Sequence, residues 1–391
     1  MQVGAVLVLG GLAEDNGNGQ GREGTGDAGQ LASFSTVPVA LFEVLGEPIL
    51  YRMVENLRRN GAGQIFLVAD DALADHAVVK DIARWRIEVM HAPSEDMHST
   101  IEAAIGRCGK LGLRTVVTMR ADAYLDLDLA DMLQFHRVSK QKASFTCDRL
   151  GPLSVAMIDS AYADTACMLV QNRHTLPRAM GDYQHRGYTR RLHTAADLRT
   201  LAKDALFGRC TIQPNGSQIR PGVWIAAGAR VHPHARIGGR AYVGPYSRLR
   251  AGVQVSECAA VERCCDIDRG TVVEDASILP YTYLGVCLDI AHAVVKQNRL
   301  LDLTRNLVLD VSDSFMGTSW IGGRATARPP MDPVATSRAT PAWRAVGERL
   351  RTLLPKRPEP AAPSARISYP KPERPWPALQ PVPSTTDSQR S

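Results

Sequence analysis

The chain has 391 residues, 22% of them charged and 45% hydrophobic, an ordinary balance for a folded globular protein of two or three domains. No apolar run approaches the ~18 residues of a membrane span, and the start, MQVGAVLVLGG, lacks a basic region and cleavage site. Secretion and membrane insertion are therefore not expected, and the chain reads as cytoplasmic. The net charge of +6 sits in the tail: residues 324–391 carry twelve Lys or Arg against five Asp or Glu, so the remainder is close to neutral and no nucleic-acid partner is expected.

In chain order, residues 1–206 alternate strand and helix signals. The continuous apolar run VGAVLVL at 3–9 predicts a buried parallel strand. A glycine-rich, partly acidic stretch at 13–36 reads as a flexible insertion. Residues 48–60 predict a helix, with Ile49, Leu50, Met53, Val54 and Leu57 on one face and Gly61 after it. QIFLVAD (64–70) and RTVVTMRAD (114–122) predict further strands, the latter ending at Asp122. Ile101, Ala104, Ile105 and Cys108 mark one helix, and 128–140 another. Alternating βαβ units imply a mostly parallel sheet covered on both faces.

Residues 207–322 carry a different period. Every sixth residue from Ile219 to Leu279 is aliphatic, eleven in succession, and the position four later is mostly small, as at Ala229, Ala235, Ala241 and Ser247. Neither a helix nor a simple strand has this period. A parallel β-helix does: each hexad forms one flat side, the aliphatic residue points inward, and three hexads complete one coil. Residues 283–311 keep strand-like alternation and are expected to close the solenoid, because an open end is an exposed sheet edge. Of the eight cysteines none forms a CxxC pair, so neither a zinc knuckle nor a disulfide framework is predicted. Cys258, Cys264 and Cys265 read as small interior residues, with Cys258 and Cys264 stacked at one hexad position.

The tail, 323–391, holds fourteen of the 24 prolines and predicts disorder. Within it Trp343, Val346, Leu350, Leu353 and Leu354 fall on one face of a short helix at 342–354, with basic residues opposite. That helix has two candidate partners, an anionic membrane surface contacted through 342–357 or the protein itself.

AVLVLGG (5–11), VPVALFEVLGEPILYRMVENLRRNG (37–61), ADAYLDLDLADMLQFHR (121–137) and GYTRRLHTAADL (187–198), followed by the hexads, resemble the sugar-1-phosphate nucleotidylyltransferases that carry a C-terminal hexapeptide-repeat β-helix. The resemblance covers roughly residues 3–315. It implies a Rossmann-like (GT-A-like) α/β nucleotidyltransferase domain, then a left-handed parallel β-helix, and a homo-oligomer, with a trimer favoured. It also implies a nucleotide or sugar-phosphate ligand at Gly10 and Gly11, and Mg²⁺ at Asp122 if the protein is active.

The chemistry of that family needs positive groups and metal carboxylates around the phosphates. Here the GGxGTR loop is out of register, Pro-Lys is replaced by Pro38-Val39, and Arg191 stands where the second metal carboxylate belongs. The expected function is thus a degenerate family member acting as a regulatory or scaffolding subunit in nucleotide-sugar or polysaccharide metabolism. The alternatives are an active nucleotidylyltransferase or, using His232 or His234 as general base, a hexapeptide acyltransferase.

Overall fold

The computed structural model describes residues 3–10, 37–163, 182–311 and 315–319. All of them lie in the first of two compact units, Met1–Pro330. The expected insertion at 13–36, Gly11, the helix at 342–354 and the proline-rich tail lie outside the described residues.

The α/β half begins with β1 (Val3–Leu9), a hairpin of β2 (Glu43–Val44) and β3 (Glu47–Pro48), α1 (Ile49–Arg59), β4 (Ala62–Asp70), α2 (Ala77–Ile82) and β5 (Glu88–Ala92). It continues with α3 (Met97–Lys110), β6 (Thr115–Arg120), β7 (Ala123–Leu125), α4 (Leu129–Ser139), β8 (Ala143–Asp148) and β9 (Gly151–Asp159). After residue 182 come β10 (Tyr183–Gln184), β11 (Thr189–Arg191) and α5 (Ala195–Leu206).

Local chemistry sets these boundaries. The apolar face of α1 is buried throughout, and the helix gives way to Gly61 in a left-handed conformation. Asp128 caps α4 by accepting from the Ala130 and Asp131 amides. Thr194 and Asp197 form a reciprocal capping box at the start of α5. The strand expected to run to Asp122 stops at Arg120, so Asp122 lies in the turn before β7.

Seven strands form one sheet in the order β10-β8-β9-β6-β1-β4-β5. β1 is parallel to β4 and β6, and β4 is parallel to β5, whereas β9 runs antiparallel to β6 and β8. The chain leaves β1 toward β4 and β5, then returns to place β6 on the other side of β1. That reversal opens a crevice at the carboxyl ends of β1 and β6, where open α/β sheets bind ligands.

The second half is a three-sided stack of short strands joined in parallel ladders. Val223 pairs with Ala241, Arg230 with Arg248 and Arg236 with Gln254, each pair separated by three hexads. From Ile225 to Val273 the hexad holds: seven of the nine aliphatic residues are buried in the solenoid core, and Ile225 and Val231, in the first coil, are partly buried and pack against it. Small corner residues tie neighbouring coils: the Ser247 hydroxyl donates to the Glu262 carbonyl at 2.6 Å and accepts from the Cys265 amide at 3.0 Å.

The hexad fails at both ends. Ile219 is 57% exposed on Ser217–Arg220, an antiparallel edge strand beside the first coil. Beyond Val273 the coil is shorter by a single residue, so Ala260 pairs with Ser277 and Asp266 with Tyr283. The corner made by two left-handed residues, Glu257 and Cys258, is made in the next coil by Asp275 alone. Ile278 therefore takes the inward place predicted for Leu279, and Leu279 packs with the α/β half. Cys258 and Cys264 do not stack either. A hexad is one side of the prism rather than one coil; both cysteines lie at left-handed corners, and Cys265 is the solenoid-core cysteine. Arg299–Asp302 and Leu307–Asp310 extend the first side as antiparallel strands, and Met316–Thr318 pairs antiparallel with Thr282–Leu284.

The two halves share a core. Alternation along the first side turns Trp224, Tyr242, Ala260, Ser277 and Val294 outward on successive rungs. Tyr242, Ala260 and Val294 are fully buried in the hydrophobic cluster that also holds β1 and α1. Polar groups complete the seam. Glu262 accepts from the Leu45 amide at 2.7 Å and the Gly46 amide at 2.9 Å. Arg263 pairs with Glu43 at 2.7 Å, and Asp275 holds Arg199, Lys203 and His292 at 2.6, 2.9 and 2.8 Å.

Candidate functional site

The crevice between β1 and β6 is built by four chain segments. Gly10 follows β1 with φ +84°, and a Cβ there would stand 3.0 Å from the Asp70 Cβ, so the close approach of β1 and β4 requires glycine. Asp70 itself is engaged, accepting from the Ala72 amide at 2.9 Å and from the Ser94 hydroxyl. Asp122 follows β6. Its Oδ2 accepts from the Ser154 hydroxyl at 2.7 Å and lies 3.7 Å from the Arg120 guanidinium. β11 pairs antiparallel with β7, which sets Arg191 opposite Ala123 and brings the Leu192 amide to the Asp122 carbonyl at 2.7 Å.

Arg191 does not stand free beside Asp122. Its guanidinium forms a fork on Asp148, with Nη1 at 3.0 Å and Nη2 at 3.2 Å, and Nη2 also donates to the Pro152 carbonyl at 3.2 Å. Arg191 and Asp148 are both mostly buried. The pair locks β11 onto the β8–β9 hairpin, in the bidentate geometry that guanidinium and carboxylate favour. Neighbouring Arg190 is equally occupied, with Arg209 and Tyr188, on Asp204. Burial works against ionisation of Asp204, but the three donors hold its carboxyl below the usual range. Val39 is 4% exposed in a single 3₁₀ turn, so its side chain belongs to the core and offers nothing to a phosphate.

These residues do not fit a divalent cation. Mg²⁺ prefers near-octahedral oxygen ligation with carboxylates sharing its charge. The crevice offers, among the described residues, two carboxylates from different segments, Asp70 and Asp122, each already accepting from a hydroxyl, and Asp122 also lies close to a guanidinium. Among the described residues no group of three His, Cys, Asp or Glu converges on a common point.

His232 and His234 lie on the exposed edge of the first coil. Their rings meet edge-on at 5.2 Å, and the His234 amide donates to His232 Nδ1 at 3.1 Å. Neither histidine is paired with a carboxylate among the described residues. A polar cavity of about 280 Å³ opens elsewhere, where α1 meets residues 211–216, lined by Arg52, Glu47, Tyr124 and Asn215.

Two features escape a linear reading. The Arg191–Asp148 and Asp122–Ser154 contacts join segments far apart in the chain, and nothing in either segment alone announces them. The seam does leave a trace: Trp224, Tyr242 and Ala260 are apolar at one outward position in each successive coil, where a solvated solenoid carries polar side chains. Neither a scan of protein-family models nor a search of curated proteins returned a match to the chain.

Proposed function

We propose that the chain is a catalytically degenerate relative of the sugar-1-phosphate nucleotidylyltransferases, with a Rossmann-like domain and a left-handed β-helix. It acts as a regulatory or scaffolding subunit in nucleotide-sugar or polysaccharide metabolism. The order of the two halves supports the kinship, as does the crevice at the carboxyl ends of β1 and β6. One observation carries the loss of catalysis. The side chain at the second metal position is Arg191, and it is committed to Asp148 as a structural clamp. Asp122 is left without a carboxylate at that second position, and Val39 supplies no charge for a triphosphate. Among the described residues, a transition state with charge building on phosphate oxygens finds no organised positive field here.

The test is pyrophosphate release from nucleoside triphosphates with sugar 1-phosphates and Mg²⁺. The expected result is background rate. Release that needs both substrates and disappears in Asp122→Ala would overturn the reading. A thermal-shift series with nucleotide sugars and sugar phosphates then reports any ligand retained, since a ligand that prefers the native state raises Tm. The trimer belongs to the same proposal, and light scattering that gives the mass of one chain at micromolar concentration would remove it.

A further inference from the structure

The solenoid sides present different outward residues. The first side is covered by the α/β half. The second begins with Arg230 and Arg248, directly opposite each other on adjacent rungs, and continues with Asp266 and Tyr283. Two residues on, the same coil spacing aligns His232, Arg250 and Asp268. Arg250 Nε and Nη2 donate to the two Asp266 oxygens at 3.0 and 2.9 Å, and Nε lies 3.7 Å from Asp268. The Tyr283 hydroxyl also donates to Asp268, at 3.2 Å. Both carboxylates of this face thus serve one guanidinium.

Arg230 and Arg248 have no ion pair among the described residues. Parallel rungs hold them in register at the ~4.8 Å strand spacing. Like charges directly opposite one another destabilise a sheet. The repulsion within the pair therefore costs the fold stability, and no ion pair among the described residues offsets it. Around the pair the surface is shallow and open to solvent. A groove of about 530 Å³ is lined by Arg230, His232, Arg248, Arg250 and Arg269. It shares Arg230 and Arg248 with a second groove of about 380 Å³, walled by Tyr246. His232 Nδ1 accepts the His234 amide, so the neutral ring carries its proton on Nε2, as a donor. Tyr246 lies against Gly228, where a Cβ would meet the ring at 2.6 Å, and the residue remains 61% exposed.

We propose that this face is a binding site for a small anion carrying two or more linked phosphates, held between Arg230 and Arg248. Guanidinium forks match phosphate oxygens in geometry as well as charge. The exposed Tyr246 ring adds a stacking wall for a ligand that also carries a planar base. The site does not depend on the reading of the β1–β6 crevice, which lies in the other half of the fold.

The test is calorimetric titration of the full chain at low salt without Mg²⁺, using sodium tripolyphosphate and ATP as probes. Both are expected to bind, more weakly as salt rises, and about tenfold or more weaker in Arg230→Gln/Arg248→Gln, since each charged hydrogen bond contributes substantially. A margin of ATP over tripolyphosphate that vanishes in Tyr246→Ala assigns the base to that ring; equal affinities assign the site to phosphate alone, and either supports it. Without ligand, the double variant is expected to melt at the same temperature or higher, because repulsion is relieved. Asp122→Asn separates the two sites and is expected to bind both probes as the unaltered chain does. The proposal fails if neither probe binds at millimolar concentration, if the double variant binds normally, or if Asp122→Asn abolishes binding. It also fails if the double variant melts lower and changes oligomeric mass, which would make this face an interface between copies.

Discussion

Replacing Glu262 with glutamine, and following stability against pH, probes the seam most directly. Burial above all, with neighbouring Glu43, raises the Glu262 carboxyl to about 8 against the pull of the Leu45 and Gly46 amides and Arg52. Between the unfolded value of 4.5 and about 8, the folded state keeps a proton that the unfolded chain has released. The contribution of Glu262 to stability is therefore fully present below pH 4.5 and is lost as pH rises through that window. At 1.36 kcal/mol per pH unit, the loss is of order 5 kcal/mol across the window, and about 3 kcal/mol of it falls between pH 5.5 and 8.5.

Glutamine has one acceptor oxygen for two amides, so one buried N–H loses its partner at a cost of ~1–3 kcal/mol. Urea unfolding at pH 5.5 should show Glu262→Gln less stable by that amount. By pH 8.5 the difference should shrink by about 3 kcal/mol, to parity or inversion, since glutamine has no proton to lose. Titrating groups that do not face Glu262 are common to both proteins and cancel, and Glu43, which does face it, is held the same in both by making the comparison in a Glu43→Gln background as well. A difference that stays constant or widens with pH would refute the reasoning. It would mean that the two amides hold an ionised carboxylate in the folded state.

Asp275→Asn should destabilise by about 3 kcal/mol, read from urea midpoints, because Arg199 is 4% exposed and loses the one carboxylate it pairs with among the described residues. Ser247→Ala should cost about 2 kcal/mol by the same measurement, since it orphans the Glu262 carbonyl and the Cys265 amide. Ile219→Ser should shift stability by no more than ~0.5 kcal/mol, whereas Val261→Ala, in the solenoid core, should cost about 2 kcal/mol.

Much of the fold was legible because its periodicities are strong. The run at 3–9 matches β1, the helix expected at 48–60 spans Ile49–Arg59, and nine consecutive hexads match nine inward residues. The slip after Val273 was not legible, because it depends on one corner being built from one left-handed residue instead of two. Leu279 is as aliphatic as Ile278, so the pattern continued while the backbone shifted. Ile219 misled for the opposite reason. It keeps the spacing of the hexad, yet it lies on an edge strand with no coil beneath it. Asp122 and Arg191 could be named from sequence, but the groups they pair with could not. A guanidinium seeks whichever carboxylate the fold brings near, and Asp148 lies 43 residues away in the chain.

The docked side of the solenoid has a consequence for how this architecture can change in evolution. A free-standing stack gains or loses a repeat at little cost, because each coil touches only its neighbours. Here the α/β half lies along the flank of the stack and takes one residue from each rung in turn: Trp224, Tyr242, Ala260, Ser277 and Val294. Duplicating an interior coil would carry Val294 and everything after it one rung, ~4.8 Å, along a partner that has not lengthened. Deleting one would leave part of the α/β flank bare. Repeat number is thereby tied to the length of a neighbouring domain, and lineages of this architecture should vary in their loops and tails while keeping the coil count.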